Sequence, residues 1–351
     1  MGQAVRAGDV EIVFAAWRPS DAPDRMAPRR LGAPGALALD LAPNTPPPTR
    51  QLGRTGLLAS ALGFGCSAYW AKPVFPERRA LALVEQAIDG GIRLFDTGPI
   101  YGGGEGERRL GLALRARGGA KDLIVCGKAG THVGTDGRVF RDFSPAAVRA
   151  SVARSLERLG IDRLPGLHLH GPGAEELTPP LLETLEALKR EGLVGFVGIN
   201  SFDPAVIRAG LAEPVFDSFM IEYNLIRKAG AALVEEIAQA GRAAVIGSPI
   251  AQALFRPSML PTSPKRAWEL GRALIRHRAD LRAARAYRFL NHLPAMTGAQ
   301  AALAWVLRSP HVATAVFATT SPEHLSANIA AARISLPDEL VRRIESLPDA
   351  P

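Results

Sequence analysis

Cysteine is scarce in this chain, with only Cys66 and Cys126 among 351 residues. Two thiols cannot build a disulfide framework, so a reducing compartment is expected. Long hydrophobic runs are absent as well: no stretch of eighteen apolar residues occurs, which leaves no candidate for a membrane-spanning helix. Asp9 and Glu11 precede any apolar stretch, so no basic n-region followed by an apolar h-region marks the chain for secretion, and a cytoplasmic location is expected. Lysine is rare, six of 42 basic residues, an arginine bias that reflects coding rather than partners. What is there is 47% apolar and 22% charged, the composition of a globular chain long enough for one large core or two smaller ones.

The net charge of +8 is unevenly spread. From Arg256 to Arg288 nine basic residues stand against two acids, Glu269 and Asp280, and the remainder is nearly neutral. With the excess charge confined to that stretch, a whole-protein nucleic-acid or membrane surface is not indicated, and no aromatic ladder accompanies the arginines to suit a nucleic acid. Arg272, Arg276, Arg282 and Arg285 recur near helical spacing. That spacing describes a solvated helix face or, overhanging a site, cations that draw in an anionic substrate.

Residues 1–49 are rich in Ala, Pro, Arg and Gly and hold no sustained period of 2 or 3.6. They read as a disordered extension, or as upstream sequence with the true start at Met26 or later. From Arg50 onward short apolar runs alternate with amphipathic stretches. The pattern predicts strands over 61–66, 93–97, 123–127, 166–170, 195–200, 216–221, 243–247 and 314–318. Helices are predicted over 76–89, 105–116, 144–159, 179–191, 204–212, 229–240, 297–308 and 321–332. Eight such units imply an α/β fold, a closed (β/α)8 TIM barrel occupying 50–351 as one domain. An N-terminal β-hairpin over 50–57 is expected to cap its floor, and a long basic insertion, 251–296, follows the seventh strand. A doubly wound sheet is the alternative, but no G-x-G-x-x-G opens the first helix, and Gly102-Gly103-Gly104 matches that turn poorly.

Polar residues at the C-terminal ends of barrel strands are the ones to weigh for chemistry. Asp96 ends the second strand, Tyr101 follows it, Lys128 lies just past the third and His170 ends the fourth. A phenol serves as a general acid at neutral pH when its pKa of about 10 is lowered, and a neighbouring ammonium lowers it. Lys128 is the expected perturber, Asp96 its anchor, and His170 a donor to a substrate oxygen. His168, two residues before His170, is expected to pack inside the barrel. With His170 it forms an H-x-H that could ligate a metal, but no further cluster completes the set and Lys128 would repel the cation, so no metal is expected.

The string Leu94-Phe95-Asp96-Thr97-Gly98-Pro99-Ile100-Tyr101-Gly102, followed by Glu107 and Gly111, closely resembles the signature of the aldo-keto reductases. Lys128 and His170 fall where that family's lysine and histidine fall, and the resemblance covers about 50–347. It implies an NAD(P)-dependent oxidoreductase that moves a hydride between nicotinamide and a carbonyl or alcohol substrate. Asp96, Tyr101, Lys128 and His170 are then the catalytic residues, with Tyr101 the general acid/base.

The same resemblance implies cofactor contacts. Asn200 and Ser201 stand, in reversed order, where the family carries Ser-Asn against the carboxamide. Met220 replaces a glutamine and Gly247 an aromatic that stacks on nicotinamide, while Ser248 and Ile250 are left as pyrophosphate and wall contacts. Ala318, Thr319, Thr320, His324 and Asn328 fall in the adenosine-phosphate segment, read as a helix start with free N–H groups ready for an anion. Ala318 and His324 stand where NADP-preferring members place cations, so NADP and NAD both remain open. Two alternatives go with this reading. One is an NAD-dependent sugar or polyol dehydrogenase working oxidatively; the other is a cofactor-binding redox sensor with little turnover. The expected partner is a small carbonyl or sugar, which could be anionic.

Overall fold

The computed structural model of the protein describes residues 45–134, 137–251 and 283–349. The expected extension up to residue 44 and most of the basic insertion lie outside the described residues; of the nine basic residues there, Arg285 and Arg288 are described. The fold begins earlier than Arg50. Pro46 packs under Gly91, where a Cβ would come within 2.2 Å of it, and the Ala61 amide donates to the Pro48 carbonyl at 2.8 Å.

Two short strands come first, β1 (Thr49–Gln51) and β2 (Leu58–Ser60), paired antiparallel as a hairpin. Eight parallel strands then close into a barrel: β3 (Leu62–Gly65), β4 (Leu94–Asp96), β5 (Ile124–Ala129), β8 (Leu164–His170), β9 (Val194–Asn200), β10 (Phe216–Glu222), β11 (Ala243–Gly247) and β12 (Val312–Phe317), the last pairing with β3. A second hairpin, β6 (Thr131–Val133) and β7 (Val139–Arg141), leaves the top of β5. Helices alternate with the barrel strands: α1 (Glu77–Asp89), α2 (Glu105–Ala116), α3 (Pro145–Leu159), α4 (Pro179–Arg190), α5 (Pro204–Leu211), α6 (Gly230–Gln239), α7 (Gly298–Leu307) and α8 (Pro322–Ala330), with α9 (Asp338–Glu345) closing the described chain. This is the (β/α)8 TIM barrel expected from the alternation, and each predicted strand and helix is present within a few residues.

Strand period sorts the side chains into two cores. Along β5, Ile124, Cys126 and Lys128 point inward, and Leu94, Phe196, Met220, Val245 and Val316 join them in the inner cluster. The other face packs on the helices in the larger outer core. Leu52, fully buried at the hairpin turn, belongs to the inner cluster and stops the barrel from below. The hairpin is clamped there. Arg50 donates to the carbonyls of Leu307 (2.6 Å), Val312 (2.7 Å) and Ser309 (3.1 Å), and Arg54 reaches Asp217 at 3.0 Å, which also receives Lys189 at 2.7 Å. With the floor stopped by Leu52, the open end is the one the strand C-termini face.

Candidate active site

Each polar group at the mouth is delivered by a strand end. Asp96 terminates β4, Lys128 sits one residue before the end of β5, and His170 terminates β8, all on inward positions. Tyr101 follows β4 on a short turn, Tyr101–Gly104, before α2 starts. Gly102, Gly103 and Gly104 take left-handed backbone at φ of 64°, 68° and 93°, which side chains disfavour. At Gly102 a Cβ would also strike the Ala71 carbonyl oxygen at 2.0 Å. The glycine run is therefore the device that folds Tyr101 back over the barrel, not a phosphate turn.

Behind it, Glu107 is fully buried yet satisfied, accepting from Ser155 Oγ at 2.6 Å and Arg158 Nη1 at 2.8 Å. Gly111 lets α2 touch the end of α3, since a Cβ there would meet the Leu159 carbonyl oxygen at 2.4 Å. These two signature positions brace α2, and hence the tyrosine turn, from outside the barrel.

The expected four groups meet. Lys128 Nζ donates to both carboxylate oxygens of Asp96 and lies 5.2 Å from the Tyr101 ring centroid. The Tyr101 and His170 rings are 6.0 Å apart. Lys128 is 1% exposed, so its charge works in a poorly screened setting. Burial alone would lower its pKa, but Asp96, then Tyr101, override that and hold the ammonium charged, up to about 12. Burial pushes the Asp96 carboxyl up while Lys128 opposes, so the pair acts as a carboxylate pinning an ammonium.

The sequence-based expectation for Tyr101 requires correction. Burial pushes its phenol above the ordinary value; Lys128 pulls it down, Asp96 pushes it up again, and the net direction is upward. The ammonium moderates the desolvation without overcoming it, because its charge is shared with Asp96. Tyr101 is thus a protonated phenol at neutral pH, with a cation beside it to receive the charge it would leave behind.

Burial, then Lys128, lowers the His168 and His170 imidazoles to about 3, with His168 adding to the shift at His170. Both are neutral. His168 packs inside the barrel as expected, its Nε2 3.0 Å from Ser218 Oγ and its ring edge-on to Phe196. Cys66 and Cys126 are buried close by, the Cys66 amide bonded to the Asp96 carbonyl at 2.8 Å, and burial raises both thiols. Among the described residues no group of three His, Cys, Asp or Glu side chains converges as a metal site.

The residues expected to touch a cofactor fall into three places. Asn200 and Ser201 lie at the top of β9, where Asn200 Nδ2 (3.4 Å) and the Ser201 amide (3.1 Å) both donate to the Met220 carbonyl. The Met220 side chain itself points into the barrel, so its part at the mouth is played by its backbone. Ser248, with φ of 53°, begins the loop after β11, and Ile250 leans on the outer core rather than forming an open wall. Ala318, Thr319 and Thr320 link β12 to α8, which carries exposed His324 and buried Asn328.

There a second expectation is corrected. The start of α8 is not free for an anion: Ser321 Oγ accepts the His324 amide at 3.2 Å, and the Glu323 carboxylate, held low first by Ser321 and then by its own backbone amide, sits over the same turn. Two groups went unremarked in the residue pattern. Arg109, buried, donates to the Trp70 and Phe75 carbonyls at 2.7 and 2.9 Å and so fixes the loop after β3. Phe202, on the loop after β9, is 54% exposed.

The sequence pattern of the Aldo/keto reductase family matches residues 61–349. A D-threo-aldose 1-dehydrogenase from a Pseudomonas species is 30% identical over 320 residues, covering 80% of this chain and 92% of that protein. An Arabidopsis thaliana L-galactose dehydrogenase is 39% identical over 157 residues, 43% of this chain and 47% of that one. Among solved structures, an aldo-keto reductase from Bacillus halodurans in its holo form superposes with a TM-score of 0.72 at 26% identity, covering 88% of this chain and 98% of that one.

Proposed function

The chain belongs to the aldo/keto reductase family and is an NAD(P)-dependent oxidoreductase, and from that premise we propose that it reduces a carbonyl with Tyr101 as the proton donor. The observation that carries this is the buried Asp96–Lys128 pair lying against Tyr101, with neutral His170 beside it. A bound nicotinamide dinucleotide supplies the hydride that reaches the carbonyl carbon. Tyr101 Oη passes its proton to the carbonyl oxygen as that oxygen gains charge. Lys128 stabilises the phenolate that remains, and Asp96 keeps the ammonium charged and aimed throughout. His170, neutral and open on one side to the mouth, donates a hydrogen bond to the same oxygen and fixes its place. Run in reverse, the same groups take a proton from an alcohol, which needs Tyr101 deprotonated.

The residues present fit such a cofactor. Asn200 and Ser201 bring an amide and a hydroxyl to the ring end, and Asn328 with Thr319 and Thr320 lines the far end. The Glu323 carboxylate, held charged on the first turn of α8, would repel a 2′-phosphate there and would offer an acceptor to a ribose hydroxyl. We therefore assign NAD in preference to NADP.

A second reading, oxidation of an aldose at its first carbon, draws on the printed activities of the Pseudomonas and Arabidopsis relatives. Reduction uses the protonated phenol and oxidation the phenolate, and a panel of aldehydes, ketones and aldoses run in both directions separates the two. The decisive experiment uses Tyr101→Phe with NADH and NADPH titrated by quenching of the four tryptophans. Turnover is expected to fall by about 10²- to 10⁴-fold with the NADH Kd unchanged and tighter than that for NADPH. Retained turnover, or equal affinity for the two nucleotides, refutes the respective assignment.

A further inference from the structure

The floor of the barrel, opposite the mouth, carries a cleft of about 440 Å³ that the reaction does not use. Three segments build it: the first hairpin with Arg50 and Arg54, the exit of α6 with Arg242, and the turn into β12 with His311. β11 separates it from the mouth, five residues or roughly 16 Å of extended chain. Among the described residues, three guanidinium groups and an imidazole line the cleft, and no carboxylate does.

Arginines at this end of a barrel have an ordinary task, because the helices end here and leave carbonyl oxygens without partners. Arg50 performs it, donating to the Leu307, Ser309 and Val312 carbonyls. Arg54 donates to Asp217 and to the Pro214 and Phe216 carbonyls. Arg242 is different. Its Nε and Nη1 are sealed from solvent and have no hydrogen-bond partner among the described residues. Its backbone is fixed on both sides. Gly241 takes left-handed backbone at φ of 71° and the Arg242 amide donates to the Ile237 carbonyl at 3.1 Å, closing the end of α6. From below the hairpin turn presses on it, since a Cβ on Gly53 would come within 2.7 Å of the Arg242 carbonyl carbon.

A buried charged donor without a partner is costly, and an anion in the cleft removes that cost. The charge around it is poorly compensated. Burial alone lowers the Arg50 guanidinium, and Asp217, which meets Arg54, is already shared with Lys189 at 2.7 Å. We infer that the cleft is a binding site for a phosphate group, free or carried by a small phosphorylated metabolite, with Arg242 as its main contact. Phosphate offers several acceptor oxygens to the fork of a guanidinium and can serve donors on more than one wall. The cleft also lies within the size range of small-molecule pockets, about 300–1,000 Å³, so an ester fits as well as the free ion.

Inorganic phosphate and glucose 6-phosphate are titrated calorimetrically into the full-length protein, Arg242→Met and Arg242→Lys, with and without NADH, at an ionic strength fixed with chloride. The expected result is one saturable site per wild-type chain, indifferent to NADH. The Kd rises at least tenfold in Arg242→Met and takes an intermediate value in Arg242→Lys, which keeps the charge and loses the planar fork. Melting curves in chloride alone control for folding: with an unpaired charge removed, Arg242→Met melts no lower than wild type, and phosphate raises the wild-type melting temperature only. Tighter binding of the sugar ester assigns an organic phosphate to the site, and equal affinity the free ion. Absence of saturable binding in wild type, a Kd that Arg242→Met leaves unchanged, or binding that NADH abolishes overturns the inference. A lower melting temperature for Arg242→Met in chloride makes the residue a brace for the hairpin, and the inference falls with it.

Discussion

At the scale of single residues, the buried lysine serves two neighbours with one charge, and the pH dependence follows from that division. Tyr101 sits above its ordinary pKa of about 10, because burial outweighs what Lys128 returns to it. Reduction needs the phenol protonated. That form persists from neutral pH up to beyond about 10, so kcat/KM for a carbonyl is expected to stay level across the neutral range and fall only in strong alkali. Oxidation needs the phenolate and should rise with pH over the same interval. His170, lowered to about 3, stays neutral throughout and adds no break near its ordinary value of about 6.5. A reduction profile that falls with a midpoint below pH 8 would contradict this division of charge. That Asp96, Tyr101, Lys128 and His170 gather at one mouth was legible in the chain because their spacing matches successive strand ends. The direction of the tyrosine shift was not, since it depends on how deeply the ring is packed. Phe202 was equally hidden, because exposure is a property of the folded mouth.

At the scale of elements, α2 carries the tyrosine turn and is itself located by contact with α3. At Gly111 the two backbones approach closely, with the Leu159 and Arg158 carbonyl oxygens 2.4 and 2.6 Å from a Cβ built there. Gly111→Ala is expected to cost about 1–3 kcal/mol in urea unfolding, the price of overpacking against backbone that cannot swing aside. It should also loosen Tyr101, lowering kcat more than it raises KM. An unchanged unfolding midpoint would show that α3 yields freely. The regular units were readable from their alternation, and β11 and α2 have the bounds their pattern predicts. The irregular ones were not. The hairpin β6–β7 has only three residues per strand around Gly134 and Gly137, too short to show a period. In α9 the acids and arginines of Asp338, Glu339, Arg342 and Arg343 mask the two buried residues, Val341 and Ile344. A strand that ends on a buried charge also reads short: β5 runs on through Lys128 to Ala129 because Asp96 satisfies the ammonium.

At the scale of the whole molecule, the barrel interior holds two neutral imidazoles at mid-height and near the mouth, and they couple the fold to pH. Unfolded, each takes a proton below about pH 6.5; folded, each refuses it until about pH 3. The stability they permit is therefore complete above pH 6.5 and is lost as pH falls from there toward 3, at about 1.4 kcal/mol per pH unit for each. His168→Gln, which can still meet Ser218, should make the urea midpoint less steeply dependent on pH between 6.5 and 5. A slope identical to wild type would mean His168 is not held neutral.

The two thiols lie in the same protected interior. Cys66 and Cys126 are unpaired, sealed from solvent and pushed away from ionisation by burial and by the Asp96 charge. Peroxide and alkylating reagents attack the anionic sulfur, and here that form is almost never populated. An enzyme that trades electrons through a nicotinamide is thereby left indifferent to the oxidants around it, and turnover after iodoacetamide or hydrogen peroxide treatment should equal that of the untouched protein.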